Sequence, residues 1–233
     1  VFEAEFNTCN DPRKLLSFLQ AIRTTSDRKL RLFCVACVRR SWHLLDVAGR
    51  EAVELAEQFA DGGVSQRKLD MVRRGRQEQC PVGLPPTIAG YAAWAANTTL
   101  QRRGSSAAHW AVEATLSAVV AASTGSEPWS EEVHTTRLAA RDAEVACQAA
   151  LLRDIFGPLP FRQVTVKPSW QTPAVVALAT SLYDERRWDD MPVLADALEE
   201  AGCDGPEILG HLRHQGPGHA RGCWALDLVL GKE

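Results

Sequence analysis

Residues 130–156 read SEEVHTTRLAARDAEVACQAALLRDIF, and this stretch decides the fold class. Ser130 followed by Glu131 and Glu132 is a helix start. A serine hydroxyl accepts from a free backbone N–H, and acidic side chains favour the positive end of the helix dipole. Neither proline nor glycine interrupts the run before Gly157-Pro158-Leu159-Pro160. Val133, Leu138, Val145, Ala146, Leu151 and Leu152 recur on a charged background at the spacing of one helical face. A helix this long needs other helices to bury that face.

Working outward, the neighbours are helices too. Upstream lie two alanine-rich segments, Thr87 to Arg102 and Ser105 to Ser123. Alanine has little bulk, so such helices approach closely, with Trp94 and Trp110 expected to fill the gaps. Before them, Cys80-Pro-Val-Gly-Leu-Pro-Pro86 denies the backbone its helical hydrogen bonds. A basic helix runs from Ser65 to near Gln79, and Glu51 to Ala60 is amphipathic and stopped by Asp61-Gly62-Gly63. Asp27 to Val47 carries Leu30, Phe33, Cys34, Cys37, Leu44 and Leu45, and its break is expected at Gly49. Asn10-Asp11-Pro12 opens a helix bearing Leu15, Leu16, Phe18, Leu19 and Ile22. Downstream, the alternation in 161–170 suggests a connector with room for one short strand. Thr172-Pro173 restarts helix through Tyr183, and Val193 to Ala201 follows with Leu194 and Leu198 four apart.

The expected architecture is therefore all-α: a compact bundle of about ten helices with one extended connector near 158–171. Its expected organisation is an N-terminal helical bundle at 1–156, the connector at 157–171, and a C-terminal helical unit at 172–233 packed on the bundle.

A net charge of −3, from 26 basic and 29 acidic residues, provides no overall field for nucleic acid or an anionic membrane. The longest apolar run, Ala114 to Ala122, falls far short of the roughly 20 residues that span a bilayer. The opening residues lack a signal-peptide pattern. Seven cysteines, an odd number scattered through helical segments, suit a reducing compartment better than a disulfide framework. The expected location is the cytoplasm, without membrane association.

Asp27-Arg-Lys-Leu-Arg-Leu-Phe33 with Arg39-Arg40-Ser-Trp42-His43-Leu-Leu45, then Leu152-Arg-Asp-Ile-Phe-Gly157-Pro and Pro160-Phe-Arg-Gln-Val-Thr165, resemble stretches of a planctomycete-type bacterial protein family without an assigned activity. The closing run fits best: Met191-Pro-Val-Leu-Ala-Asp-Ala-Leu-Glu-Glu-Ala-Gly-Cys203, His219-Ala-Arg-Gly-Cys-Trp224 and Leu228-Val-Leu-Gly-Lys-Glu233. A weaker likeness joins Leu194 to Glu200 to a short helical companion module of repeat proteins in the same genomes. The resemblance implies an independently folding bacterial domain and carries over no catalytic residues.

The tail, 202–224, concentrates the chemistry: GCDGPEILGHLRHQGPGHARGCW. Asp204 and Glu207 stand at capping-box spacing with Pro206 in the first turn, so Gly205 to Arg213 is predicted to be a short helix. At about 1.5 Å per residue that helix separates Cys203 from His211 by about 12 Å, too far to share one ion. The remaining donors, His211, His214, His219 and Cys223, have a workable count for zinc around a Gly-Pro-Gly hinge. The plainer reading makes Cys223 a small core residue and the histidines loop groups. A thiol nucleophile at Cys223 with His219 as base would need a third group, such as Asp196 or Asp227, to orient the ring. Cys34-x-x-Cys37 lies mid-helix on the face that holds Leu30 and Phe33, which marks packing rather than redox or metal chemistry.

Cations for nucleic acid would come from Arg67, Lys68, Arg73, Arg74 and Arg76, or from Arg28, Lys29, Arg31, Arg39 and Arg40. Both sets have acidic neighbours and read as solvated faces. The leading expectation is a non-catalytic adaptor or regulatory module that needs no cofactor and contacts a protein through Trp188, Arg187, Arg213, Arg221 and Trp224, since Trp and Arg dominate interface hot spots. The alternative is a metal- or thiol-dependent enzyme at the tail cluster, with zinc as its cofactor. A nucleic-acid accessory role comes third.

Overall fold

The computed structural model of the chain describes residues 2–22, 25–79, 87–214 and 218–232. The expected break at 80–86 and all of the Gly-Pro-Gly hinge but Gly218 lie outside the described residues. Among those described there are twelve α-helices and no strand: α1 Glu3–Thr8, α2 Pro12–Ala21, α3 Asp27–Arg40, α4 Val47–Ala60, α5 Gln66–Gln79, α6 Ile88–Thr99, α7 Gly104–Thr124, α8 Glu131–Phe156, α9 Pro173–Glu185, α10 Met191–Glu200, α11 Pro206–Arg213 and α12 Trp224–Leu230. The all-α bundle is what the helical periodicity predicted. Among the described residues no helix is long and apolar enough to cross a membrane.

Local capping explains most of the starts. Asp11, Ser26, Asp46, Thr87, Ser130 and Thr172 each accept a hydrogen bond from a first-turn backbone N–H. Two boundaries differ from expectation. Gly49 does not end a helix but sits in the first turn of α4, where its N–H donates to Asp46 Oδ1 at 2.6 Å. The break comes earlier, at Ser41, whose N–H and hydroxyl both turn back to the Val38 carbonyl. The Asp204/Glu207 capping box is not formed either. Asp204 pairs with Lys167 at 2.9 Å and Glu207 with Arg162, because partners on the connector outcompete the local backbone. The connector itself holds a short 3-10 turn, Pro168–Trp170, rather than a strand.

Helix α3 runs through the middle of the N-terminal bundle, and every residue from Lys29 to Val38 is buried. The apolar run Leu32 to Val38 makes its middle hydrophobic on every side, and α4, α6, α7 and α8 surround it. The close approach of α6 and α7 rests on buried Ala92, Ala95, Ala96, Ala107, Ala108 and Ala111. Trp110 does not fill a gap there; it is 49% exposed and leans toward Trp94. Arg31 is fully buried because its guanidinium caps α6, donating to the carbonyls of Thr99, Gln101 and Arg102 at 2.7–3.1 Å.

A second apolar cluster gathers Trp170, Leu182, Tyr183, Met191, Leu194, Leu198, Ile208, Leu212 and Trp224 around α9 to α12. Charged groups form the seam between the two clusters. Asp227 of α12 accepts from Arg28 at 2.7 Å and Lys29 at 3.0 Å on α3. Asp61, just after α4, accepts from Arg28, Tyr183 and Arg221 at 2.7–3.2 Å.

Candidate metal centre

Three separated segments bring donor atoms to one point. Asp154 projects from the last turn of α8, His211 from the last turn of α11, and His219 and Cys223 from the loop leading into α12. His219 Nδ1 lies 2.8 Å and His211 Nε2 3.1 Å from the same oxygen, Asp154 Oδ1. Cys223 Sγ is 3.2 Å from His211 Nε2 and 3.7 Å from His219 Nδ1. One ligand atom from each of the four residues lies within 4.8 Å of every other. Zinc bonds of about 2.0–2.3 Å in a tetrahedron place donors roughly 3.3–3.8 Å apart, close to these separations.

Backbone conformation sets which tail residues take part. Helix α11 ends at Arg213, and His214 follows in extended conformation, φ −72° and ψ 118°. The helical i, i+3 relation to His211 is thereby lost, and His214 stands exposed at the rim, outside the donor group. Its place is taken by Asp154, which the sequence reading did not include. The available signal was an aspartate in the strongly apolar turn Leu151-Leu152-Arg153-Asp154-Ile155-Phe156, where burial demands a partner. The second Asp154 oxygen accepts from the Ala220 N–H at 2.9 Å, which fastens the tail loop to α8.

Cys223 is fully buried. A cleft of about 490 Å³ opens over the other side of the group, lined by Asp154, His211 and His219 together with Asn10, Cys147 and His214. Burial raises the Asp154 carboxyl, but hydrogen bonds from His211 and His219 outweigh that and hold it down at about 2. Burial, reinforced by Asp154, pushes the Cys223 thiol well above its ordinary range. A buried, protonated thiol is a poor nucleophile, whereas a bound cation would deprotonate it. Neither expected orienting group serves here: Asp196 pairs with Arg213 at 2.8 Å, and Asp227 with the α3 cations.

The other candidates are dispersed. Arg187 and Arg213 are exposed and paired with acids of their own unit, and Trp188 is half-buried. Arg221 points into the seam, and Trp224 is buried against Gly157. Of these five, Trp224 is enclosed and Arg221 largely so, while Arg187 and Arg213 reach solvent. Lys29 and Arg31 are buried against acids or carbonyls, Arg28 and Arg39 are partly buried on acids, and Arg40 is exposed but paired with Glu144. On α5, Arg73 pairs with Asp70, and Arg67, Lys68 and Arg74 stay exposed.

Cys34 and Cys37 are fully buried; burial lifts both thiols, Cys34 to about 12. Native protein treated with a thiol reagent at neutral pH is expected to leave Cys34, Cys37 and Cys223 unlabelled by peptide mass mapping, while denatured protein labels all three. Rapid native labelling of Cys34 or Cys37 would contradict their packing role. Comparison of the chain with protein-family models, curated proteins and solved structures gave no match.

Proposed function

We propose that this chain is a zinc-stabilised helical module of a bacterial cytoplasm, belonging to the planctomycete-type group it resembles and working through protein contact. The observation that carries the metal assignment is the convergence of one carboxylate, two imidazole nitrogens and one thiol from three segments. A mixed sulfur, nitrogen and oxygen set suits zinc, and four protein donors are the closed arrangement of structural sites. An ion there would tie the tail to α8 and so join the C-terminal helices to the first bundle. Metal binding of this kind is also folding free energy.

A metal-dependent enzyme is the second reading, favoured by the cleft that reaches Asp154, His211 and His219. Asp154 is then the donor that yields to water or substrate.

Elemental analysis after dialysis against zinc is expected to find one ion per chain, lost in Cys223→Ser and His219→Ala. Chelation is expected to lower the melting temperature, since saturation at about 1,000 times Kd contributes about 4 kcal/mol. No bound zinc, or zinc retained by both variants, would sink the assignment. Cobalt-substituted protein separates the two readings: a spectrum indifferent to azide indicates the closed site, and one that shifts with azide indicates an open position.

A further inference from the structure

A second cavity lies on the other side of the His219 loop, in the seam between the two apolar clusters. It holds about 210 Å³, and its walls include Arg39, Arg40, Arg186, Arg221, Trp188 and Glu57. Four guanidiniums thus line a small space with a single carboxylate. Glu57 takes one terminal nitrogen each from Arg39 at 2.7 Å and from Arg186, and Arg221 Nε stands 3.9 Å from its other oxygen. Arg40 is held separately by Glu144 at 2.9 Å, and Arg221 also meets Asp61.

Each guanidinium offers five N–H donors. Among the described residues, the side chains of Arg39 and Arg186 make no hydrogen bond beyond the one each gives Glu57, and their Nε groups are buried without an acceptor, although the Arg39 guanidinium also stacks over the Trp42 ring at 4.7 Å. Buried donors without partners are uncommon; Arg50 and Arg73 each carry one elsewhere, but only here do two face one cavity beside two further guanidiniums.

A second, independent sign comes from the backbone. Arg186 is the only non-glycine with positive φ among the described residues, φ 55° and ψ 42°, at the C-terminus of α9. Glycine is the usual occupant of that conformation, and a side chain there carries strain that persists where the surroundings impose it. At this position arginine is what places a guanidinium on the cavity wall.

We infer that this cavity is a binding site for a phosphate group, either free phosphate or the terminal group of a small phosphomonoester. Excess guanidinium over carboxylate favours a dianion, and arginine's planar fork matches phosphate oxygens in pairs. Arg39 and Arg186 are the primary donors, with Arg40 and Arg221 lending charge and Trp188 closing the side. Of the zinc donors only His219 borders this cavity, and it borders the cleft over the metal centre as well.

The test is a titration of the full chain with inorganic phosphate and, separately, 2-phosphoglycolate. Calorimetry and melting temperature are followed at ionic strength matched with sodium chloride, with chelator present so that the result stands apart from zinc. Saturable binding is expected, weakened at least about tenfold in Arg39→Gln, the loss of roughly one charge-assisted hydrogen bond. The tighter of the two ligands identifies the source of the phosphate group. Arg186→Gly is the sharper variant because it relieves the backbone while deleting the donor. Its expected outcome is a fold at least as stable as that of Arg186→Gln, together with the loss of phosphate binding. Absence of saturable binding, or binding unchanged in both Arg39→Gln and Arg186→Gly, overturns the inference and leaves the arginines as a structural seam.

Discussion

Asp227→Ala is expected to destabilise the protein by about 3–5 kcal/mol, the penalty for stripping the partner from buried charges. Asp227 is 1% exposed and accepts from Arg28 at 2.7 Å and Lys29 at 3.0 Å. The Lys29 ammonium is itself buried, and its other contacts are the carbonyls of Ile155 and Gly222. Those carbonyls solvate the ammonium but do not neutralise it. Arg28 keeps Asp61 and Tyr183, so the larger share of the loss falls on Lys29. Because a domain's whole stability is about 5–15 kcal/mol, the variant should unfold at a much lower urea concentration. The double variant Lys29→Met, Asp227→Leu removes both members and should recover most of the loss, since replacing a buried pair by apolar side chains is often neutral. An Asp227→Ala midpoint close to the parent's would show that the seam contributes little.

Gly157→Ala is the second large expectation, at about 2–5 kcal/mol from overpacking and backbone strain together. Gly157 ends α8 with φ +49°, and a Cβ built there would lie 2.3–2.5 Å from the Trp224 indole. The ring cannot retreat easily, because Trp224 is itself buried in the second cluster. The effect should reach the metal centre as well: Asp154 lies three residues before Gly157, and Cys223 directly precedes Trp224. We therefore expect Gly157→Ala to weaken zinc uptake along with stability. In a Trp224→Leu background the clash term should shrink, leaving mainly the backbone term. Equal effects of Gly157→Ala in the two backgrounds, measured by urea unfolding, would exclude the indole contact as the cause.

The seam and the metal centre differ from the helices in how far the sequence announces them. Ser130, Thr172, Asp11 and Ser26 mark helix starts because capping is a contact over two or three residues, complete within the local chain. The cysteines of Cys34-x-x-Cys37 were legible as core because their helical face was already apolar. The capping box at Asp204 and Glu207 shows the limit. Its local pattern was present, but Lys167 and Arg162, about forty residues upstream, took both carboxylates.

The donor set failed in the same way. Histidine and cysteine crowding drew attention to the tail, where His211, His219 and Cys223 do converge and Cys203 stands apart. His214 fits the donor count and the compact spacing of the tail, but the chain turns extended at that residue, just past α11, and carries it to the rim. Asp154 was omitted because nothing near it in sequence indicates that α8 ends beside the tail loop. Residue type alone also hides packing: Trp224 and Arg221 look like hot-spot residues, yet one packs on Gly157 and the other joins Asp61.

What this sequence determined by itself is the set of helices, since periodicity, caps and breakers act between residues a few positions apart. What only the tertiary structure decided is which charges and donors meet. Asp154 with the tail imidazoles, Asp227 with α3, and four arginines around one cavity all depend on where whole helices come to rest. Those positions follow from packing summed over two apolar clusters, a quantity that no short stretch of the chain contains.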